Sequence, residues 1–593
     1  MGRRYAALIA VLSLLFAVLL VPTGWTADRQ VNNAPPIFEP VSKNAQLLPT
    51  QTASTERITV MIELASAPVA ALPDTLHRSQ RIRIQNEQQT LQRQLPQLGA
   101  TVLFSTRLAY NGIAVSINAD RIDQLRQLPG INALHVIPPK EPNAFSSKNA
   151  ALLAQVAQTM QEGITGRGVR IGVIDSGIDY THATFGGPGT PAAYSSNNPS
   201  IIEAGSFPTA RVVGGFDFAG DAYDASSPDP ARRIPQPDAD PLDCNGHGTY
   251  VASLLAGQGV LADGSPYTGP YPIEQDQSAF SLLPGVAPEA ELYALKIFGC
   301  EGSSVLMIPA IEYALDPNGD GDTSDRLDIL NISTGSGFGS NDDPDAIAVN
   351  NAVQAGIVVV ASAGDLGNTF YSVNSPASAN HAIAVGATVD QTTTNLPAPG
   401  IMALAPQEVA SYSSRGPQRG NQTIKPELVA PGTNIPGAAI GSGTGTLSMS
   451  GTSGSAAQVA GAAALLLQQH PDWQPNQVKA ALLNTASPVS TNKGALYPPS
   501  LVGAGQLNLS ALSNVDLLAS TGDLSDTATL SYGAPWISQP WSQAQPLFLQ
   551  NESNLTRTVT LSVTTVVSET GVTVELPATQ VEIEPHSSLT LPI

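Results

Sequence analysis

Three short stretches carry the residues of this chain best suited to covalent chemistry. Ile174-Asp175-Ser176-Gly177 places a carboxylate at the end of an apolar run. Asn245-Gly246-His247-Gly248-Thr249 sets an imidazole between two glycines, at the head of the small-residue run Gly248–Ala256. Gly451-Thr452-Ser453-Gly454 presents a hydroxyl before a long stretch of Ala, Val and Leu. Each has an ordinary explanation when taken alone. Asp-Ser-Gly is a common turn, a lone histidine is usually structural, and a Gly/Ser loop often feeds a core helix. Together they are the three groups that nucleophilic acyl transfer needs. A carboxylate orients and charge-stabilises an imidazole, the imidazole takes the serine proton, and the serine oxygen attacks a carbonyl. A serine at a helix N-terminus also sits where free N–H groups and the macrodipole favour a developing oxyanion.

The elements that must position these groups are strands alternating with helices. Val169–Ile174, Ala290–Ile297, Ile329–Ile332, Ile357–Ala361 and Ala382–Val385 read as apolar strands. Between them Gly248–Ala256, Val305–Leu315, Pro344–Ala355 and Ser453–His470 read as helices. Such alternation predicts an α/β domain, residues 150–512, with a parallel sheet and helices on both faces. Functional groups of such sheets collect at the carboxyl ends of the strands.

Other segments flank this domain. Arg3 and Arg4 precede the apolar run Ala6–Val21, which falls short of the roughly 20 residues a spanning helix needs. Residues 1–27 therefore read as a signal peptide cut near Ala27, with an uncleaved anchor as the alternative. Residues 28–55 form a flexible lead-in. Residues 56–138 give β-α-β-β-α-β: Arg57–Leu64, a polar helix His77–Leu95, Thr101–Leu108, Gly112–Ile117, a short helix Ala119–Leu128 and Ile131–Val136. That order predicts a small ferredoxin-like α+β domain. Residues 138–150, rich in Pro and Asn, read as an exposed linker, so the small domain suits a propeptide. After 512 come short alternating runs at Thr527–Tyr532, Leu547–Gln550, Arg557–Val563, Val572–Leu576 and Gln580–Ile583. They predict a β-sandwich over 513–593, incomplete or minimal.

Composition narrows the partners. Lys+Arg 27 against Asp+Glu 48 gives a net charge of −21, which argues against nucleic acid or an anionic membrane. No later segment is apolar enough to span a bilayer, so the mature protein is expected to be soluble, secreted and extracellular. Of its two cysteines, Cys244 and Cys300, the default in an oxidising compartment is one disulfide, worth roughly 4 kcal/mol in the chain-entropy account. Two free buried thiols are the alternative.

With these pieces in view, the chain resembles the subtilase (subtilisin-like) family. Asp175-Ser-Gly, His247-Gly-Thr and Gly-Thr-Ser453 match its three catalytic signatures, in the chain order Asp…His…Ser of that family. Gly285-Val286-Ala287-Pro288, Ser413-Ser414-Arg415-Gly416-Pro417 and Lys425-Pro426-Glu427-Leu428-Val429-Ala430-Pro431-Gly432 add to the match. Tyr110-Asn111-Gly112-Ile113-Ala114-Val115 resembles the family's inhibitory propeptide, and the tail resembles a fibronectin type III-like domain. The resemblance covers about 56–510. It implies a serine endopeptidase made as a zymogen, acting on protein and peptide substrates, with its own propeptide as an intramolecular inhibitor and no cofactor needed for the chemistry. By the same resemblance Ser333, Thr334, Gly335, Ala361, Ser362, Ala363 and Gly364 line the cleft and pair with an extended substrate.

The chain also departs from the family pattern. Gly454-Ser455-Ala456-Ala457-Gln458 stands where the family usually has Met-Ala-Ser/Ala-Pro-His; these are expected to be packing positions. Tyr250 replaces a usual His and Ser253 a usual Gly. In Val358-Val359-Val360-Ala361-Ser362-Ala363-Gly364-Asp365, Asp365 occupies the place of the family's oxyanion-hole asparagine, beside the backbone N–H of Ser453. An ionised carboxylate there repels the oxyanion that an amide would stabilise, and only its protonated form can donate. Asn368, three residues on, is a substitute donor with no spacing argument behind it. The expectation is a weakened, acid-favouring peptidase; the rival readings are a binding or scaffold protein on an impaired protease fold, and an esterase-like hydrolase. Finally, Asp316, Asn318, Asp320 and Asp322 alternate as in a calcium loop, but Leu327 stands where an EF-hand has its bidentate Glu. Structural Ca²⁺ and an acidic surface turn both fit.

Overall fold

The run Arg170–Asp175 becomes the strand on which the main sheet is built. The computed structural model describes residues 56–146, 163–271, 277–389, 408–491, 493–521, 528–533, 535, 537–566 and 571–593. The signal-peptide and lead-in expectations lie outside these residues. Across the eight-stranded sheet the order is Glu408–Val409, Ile383–Val389, Val358–Ser362, Ile329–Ile332, Arg170–Asp175, Glu291–Lys296 and Val212–Asp217, with Leu428–Pro431 also joined to Ile383–Val389. Neighbouring strands are parallel except for the short Glu408–Val409.

Both faces of this sheet are covered, which is why most of its strands read as largely apolar runs. Ile171, Val173, Val358 and Val360 belong to one core with residues of the helices His247–Ala256, Thr452–Gln469 and Pro475–Asn484. Ile174, Val359 and Ala361, one residue out of phase, belong to a second core with the helices Met307–Leu315 and Pro344–Gln354. The helix Thr452–Gln469 is buried at every position from Thr452 to Ala464. Its small residues permit that depth: a Cβ on Gly461 would lie 2.5 Å from Val286 Cβ. Val212–Asp217 is a strand that the apolar pattern misses. Its Gly214 has no side chain, and the ring of Tyr293 occupies that space instead.

The small N-terminal domain has the expected β-α-β-β-α-β order. Its antiparallel sheet runs Thr101–Thr106, Gly112–Asn118, Arg57–Leu64, Ile131–Val136, with helices Asp74–Gln92 and Ile122–Arg126. Met61, Leu108, Ala109 and Tyr110 join the second core of the large domain. The Glu312 carboxylate accepts the backbone N–H of Arg107 (2.7 Å), Leu108 (2.8 Å) and Ala109, and Asn351 Nδ2 donates to the Ala109 carbonyl at 2.7 Å. The two domains thus share apolar surface, and backbone groups of the small one are hydrogen-bonded to side chains of the large one.

Two expectations need correction. Residues 138–146 are not an exposed linker, since Lys140 and Asn143 are buried. Glu141–Pro142 pairs antiparallel with Thr334–Gly335, and Phe145–Ser146 pairs with Met449 and Ser450. Polar and proline-rich composition reads as solvated coil, yet it equally suits an extended segment whose polar groups are satisfied by distant residues. In the tail, Leu517–Thr521, Pro546–Asn551 and Ser588–Pro592 form one antiparallel sheet, and Arg557–Thr560 with Gln580–Ile583 a second. Residues 528–532 and 572–576 are not strands. Val572 and Val574 are 71% and 50% exposed, so their alternating pattern has no surface to bury against.

Candidate active site

Asp175 ends its strand, and its Oδ1 accepts the Ser176 N–H and lies 2.7 Å from His247 Nδ1. His247 opens its helix, with Nε2 3.1 Å from Ser453 Oγ. Ser453 is the second residue of the long buried helix. With Nδ1–H donated to Asp175, Nε2 is left as the acceptor facing the serine hydroxyl. The start of the histidine helix is held from below. The Asp243 carboxylate accepts the N–H of Asn245, Gly246 and Thr249 and the Thr249 hydroxyl. The Ser176 hydroxyl donates to Asp243 and accepts the Gly248 N–H, tying strand end to helix start. Cys244 and Cys300 form a disulfide, fastening this loop beside the Glu291–Lys296 strand. Burial of His247 works against its protonation, but Asp175 in contact, together with Asp243 and Asp365, outweighs that and leaves it above the ordinary histidine value.

On the other side of Ser453 the chain leaves the Val358–Ser362 strand and turns at Gly364, whose φ of +102° suits glycine. Asp365 Oδ1 accepts the backbone N–H and the hydroxyl of Thr452, each at 2.9 Å. Its Oδ2 is buried with no hydrogen-bond partner among the described residues. Burial pushes the carboxyl up to about 7, against the opposing pull of the Thr452 donors and His247. Asn368 lies exposed further along the loop.

The segment 140–146 crosses the serine. Asn143 donates its N–H to the Ser333 carbonyl at 3.1 Å, and its own carbonyl accepts the Ser453 N–H at 3.3 Å. Ser453 Oγ is 2.6 Å from that carbonyl oxygen and 2.9 Å from the Ser333 carbonyl. A Cβ on Gly451 would fall on the Asn143 carbonyl oxygen, so glycine is what lets the peptide approach. Of the residues expected along the cleft, Ser333, Thr334, Gly335 and Ser362 contact this segment. Ala361 and Ala363 are buried, and Ala363 accepts the Asn374 N–H at 2.9 Å. Sequence reasoning missed Asn374, Thr452 and Asn143, whose partners lie far away in the chain.

The departures on the helix Thr452–Gln469 do more than pack. Ser455 donates to the Ala430 carbonyl at 2.9 Å and Gln458 Nε2 to the Pro431 carbonyl at 2.6 Å, tying the helix to Leu428–Pro431. Tyr250 is fully buried against Gly437 and Gly454, and the Ser253 hydroxyl bridges the Tyr250 carbonyl and the Ala438 N–H. In the acidic loop, Asn318 Oδ1, Asp320 Oδ1 and Asp322 Oδ1 each accept the N–H two residues on. Among the described residues, His, Cys, Asp and Glu ligand atoms gather in threes only at Asp221, Cys244 and Cys300, where both sulfurs are in the disulfide.

Residues 166–505 match the family model described as the Subtilase family. Serine protease AprX of Bacillus subtilis (strain 168) is 31% identical over 363 residues, covering 58% of this chain and 66% of AprX. Subtilisin Savinase of Lederbergia lenta is 31% identical over 354 residues, covering 59% of this chain and 94% of Savinase. Minor extracellular protease Vpr of Bacillus subtilis (strain 168) is 22% identical over 531 residues, covering 67% of this chain and 57% of Vpr.

Proposed function

From the premise that this chain belongs to the subtilase family of serine endopeptidases, we propose that it is a secreted zymogen cutting peptide bonds with Ser453, His247 and Asp175. One observation carries the reading: Asp175, His247 and Ser453 stand in hydrogen-bonding line, with a peptide carbonyl lying against the serine. In the first step Ser453 Oγ bonds to the carbonyl carbon while its proton passes to His247 Nε2. The carbonyl electron pair moves onto oxygen. Collapse of this intermediate expels the amine, which takes the proton from His247 and leaves an acyl-enzyme. Water, deprotonated by His247, then releases the acid and restores the serine. Asp175 holds the imidazole in orientation and stabilises its charged form.

The Ser453 N–H is one donor to the oxyanion, and Asp365 is the second only while protonated. Asp365 therefore makes the enzyme acid-favouring. The small domain, residues 56–138, acts as the propeptide, and the signal at 1–27 directs export; the described residues include no helix long and apolar enough to cross a membrane. Asp365 Oδ2, without a hydrogen-bond partner among the described residues, favours a second reading, a binding or scaffold protein on an impaired protease fold. Exposure of the processed protein to a fluorophosphonate at pH 5–9 separates the two. Mass gain on Ser453, absent from Ser453→Ala, is expected; folded protein with no label at any pH sinks the enzyme.

A further inference from the structure

We propose that the bond between Asn143 and Ala144 is the one this enzyme cuts in its own chain, and that its cleft selects asparagine before the scissile bond and lysine three residues upstream of it. The proposal rests on the reading of Ser453 as nucleophile. The register follows from geometry. The carbonyl that meets both the Ser453 N–H and Ser453 Oγ is that of Asn143, and backbone pairing on either side fixes the segment there.

The asparagine is read by its side chain. Asn143 Nδ2 donates to Ser362 Oγ at 2.7 Å, and Asn143 Oδ1 accepts from Asn374 Nδ2 at 3.0 Å. Ser362 and Asn374 are themselves 1% and 3% exposed. Two glycines leave room for Asn374: a Cβ on Gly335 would lie 2.8 Å from Asn374 Cβ, and one on Gly364 would fall on its amide. A leucine or phenylalanine at position 143 would strip water from Ser362 and Asn374 without replacing their hydrogen bonds, which is costly for buried polar groups. An aspartate would bring a charge to two neutral partners and lose the donor that Ser362 accepts.

The lysine is read by charge. Lys140 exchanges backbone hydrogen bonds with Ser304, N–H to carbonyl at 2.8 Å and back at 3.1 Å. Its side chain is fully buried, with Nζ paired to the Asp345 carboxylate and 3.3 Å from the Pro138 carbonyl. Glu141, between the two residues that are read, is exposed and should be free to vary.

The test uses the full chain and then the processed enzyme. Wild type should yield a mature N-terminus at Ala144, whereas Ser453→Ala stays uncut. On peptides spanning Lys-Glu-Pro-Asn-Ala-Phe, changing Asn to Leu or Asp should lower kcat/KM by about 10²-fold or more. Changing Lys to Glu should cost about tenfold or more, as a like charge meets Asp345, and changing Glu to Ala should cost little. Asn374→Ala should cut the Asn-to-Leu preference at least about tenfold. An N-terminus elsewhere, or equal cleavage after Leu or Asp by enzyme that labels on Ser453, overturns the specificity and leaves the peptidase standing. Absence of labelling overturns both.

Discussion

Two carboxylates flank Ser453, Asp175 fully buried and Asp365 half-buried, and they are held in opposite ways. Asp175 meets an imidazole that can carry the complementary charge, backed by a disulfide and the network of Asp243. Among the described residues Asp365 accepts hydrogen bonds from the neutral donors of Thr452, and its second oxygen has no hydrogen-bond partner. A buried carboxylate next to a partner that becomes cationic assists a reaction passing through an imidazolium. One held by neutral groups prefers its proton, and burial accordingly lifts Asp365 to about 7. One wall of the cleft is built for charge, the other tolerates it only when neutralised.

The comparison can be broken first at the triad. Ser453→Ala, or Asp175→Asn, should lower kcat by about 10⁴-fold or more, because triad members act as a unit. Self-processing on a denaturing gel should stop as well. A variant still processed would show that the assembled geometry is not the working one.

The sharper test is at Asp365. Above pH 7 its carboxyl loses the proton it would donate; Asp365→Asn should raise kcat by about 10²-fold at pH 8–9 and far less near pH 5. The acid limb, set by protonation of His247, should remain. A pH–rate profile unchanged by the substitution would remove Asp365 from the oxyanion role.

On the triad wall, replacing both Cys244 and Cys300 by serine should cost about 2–4 kcal/mol in denaturant unfolding. It should also slow turnover through the loosened His247 loop. A stable variant with full activity would show that Asp243 alone positions the histidine.

The smallest effect should be in stability. A carboxyl whose folded value of about 7 exceeds its unfolded value binds a proton on folding between about pH 4 and 7. Stability from this group therefore falls as pH rises through that window. Asp365→Asn should raise Tm more at pH 8 than at pH 4.5. Equal shifts at both would mean that the carboxyl is not held protonated.

Much of the large domain was legible locally. Apolar strands at Ile329–Ile332 and Val358–Ser362 stand out because both faces of the sheet are covered. Val212–Asp217 hid because Gly214 gives its place to Tyr293. The tail was harder to read, because alternation at 572–576 faces solvent while Leu517–Thr521 and Ser588–Pro592 hold the sheet instead.

By itself the sequence determined which three groups are the candidates for chemistry, the order of their elements and the departure at Asp365. Each of these is written in a few adjacent residues or in a hydrophobic period. Only the tertiary structure decided that residues 140–146 lie across Ser453, and which side chains receive Asn143 and Lys140. Asn143 finds Ser362, Asn374 and Ser453 across separations of 219, 231 and 310 residues. Hydrogen bonds and buried charge pairs over such distances leave no local pattern, because they exist only once the sheet has brought its strand ends together.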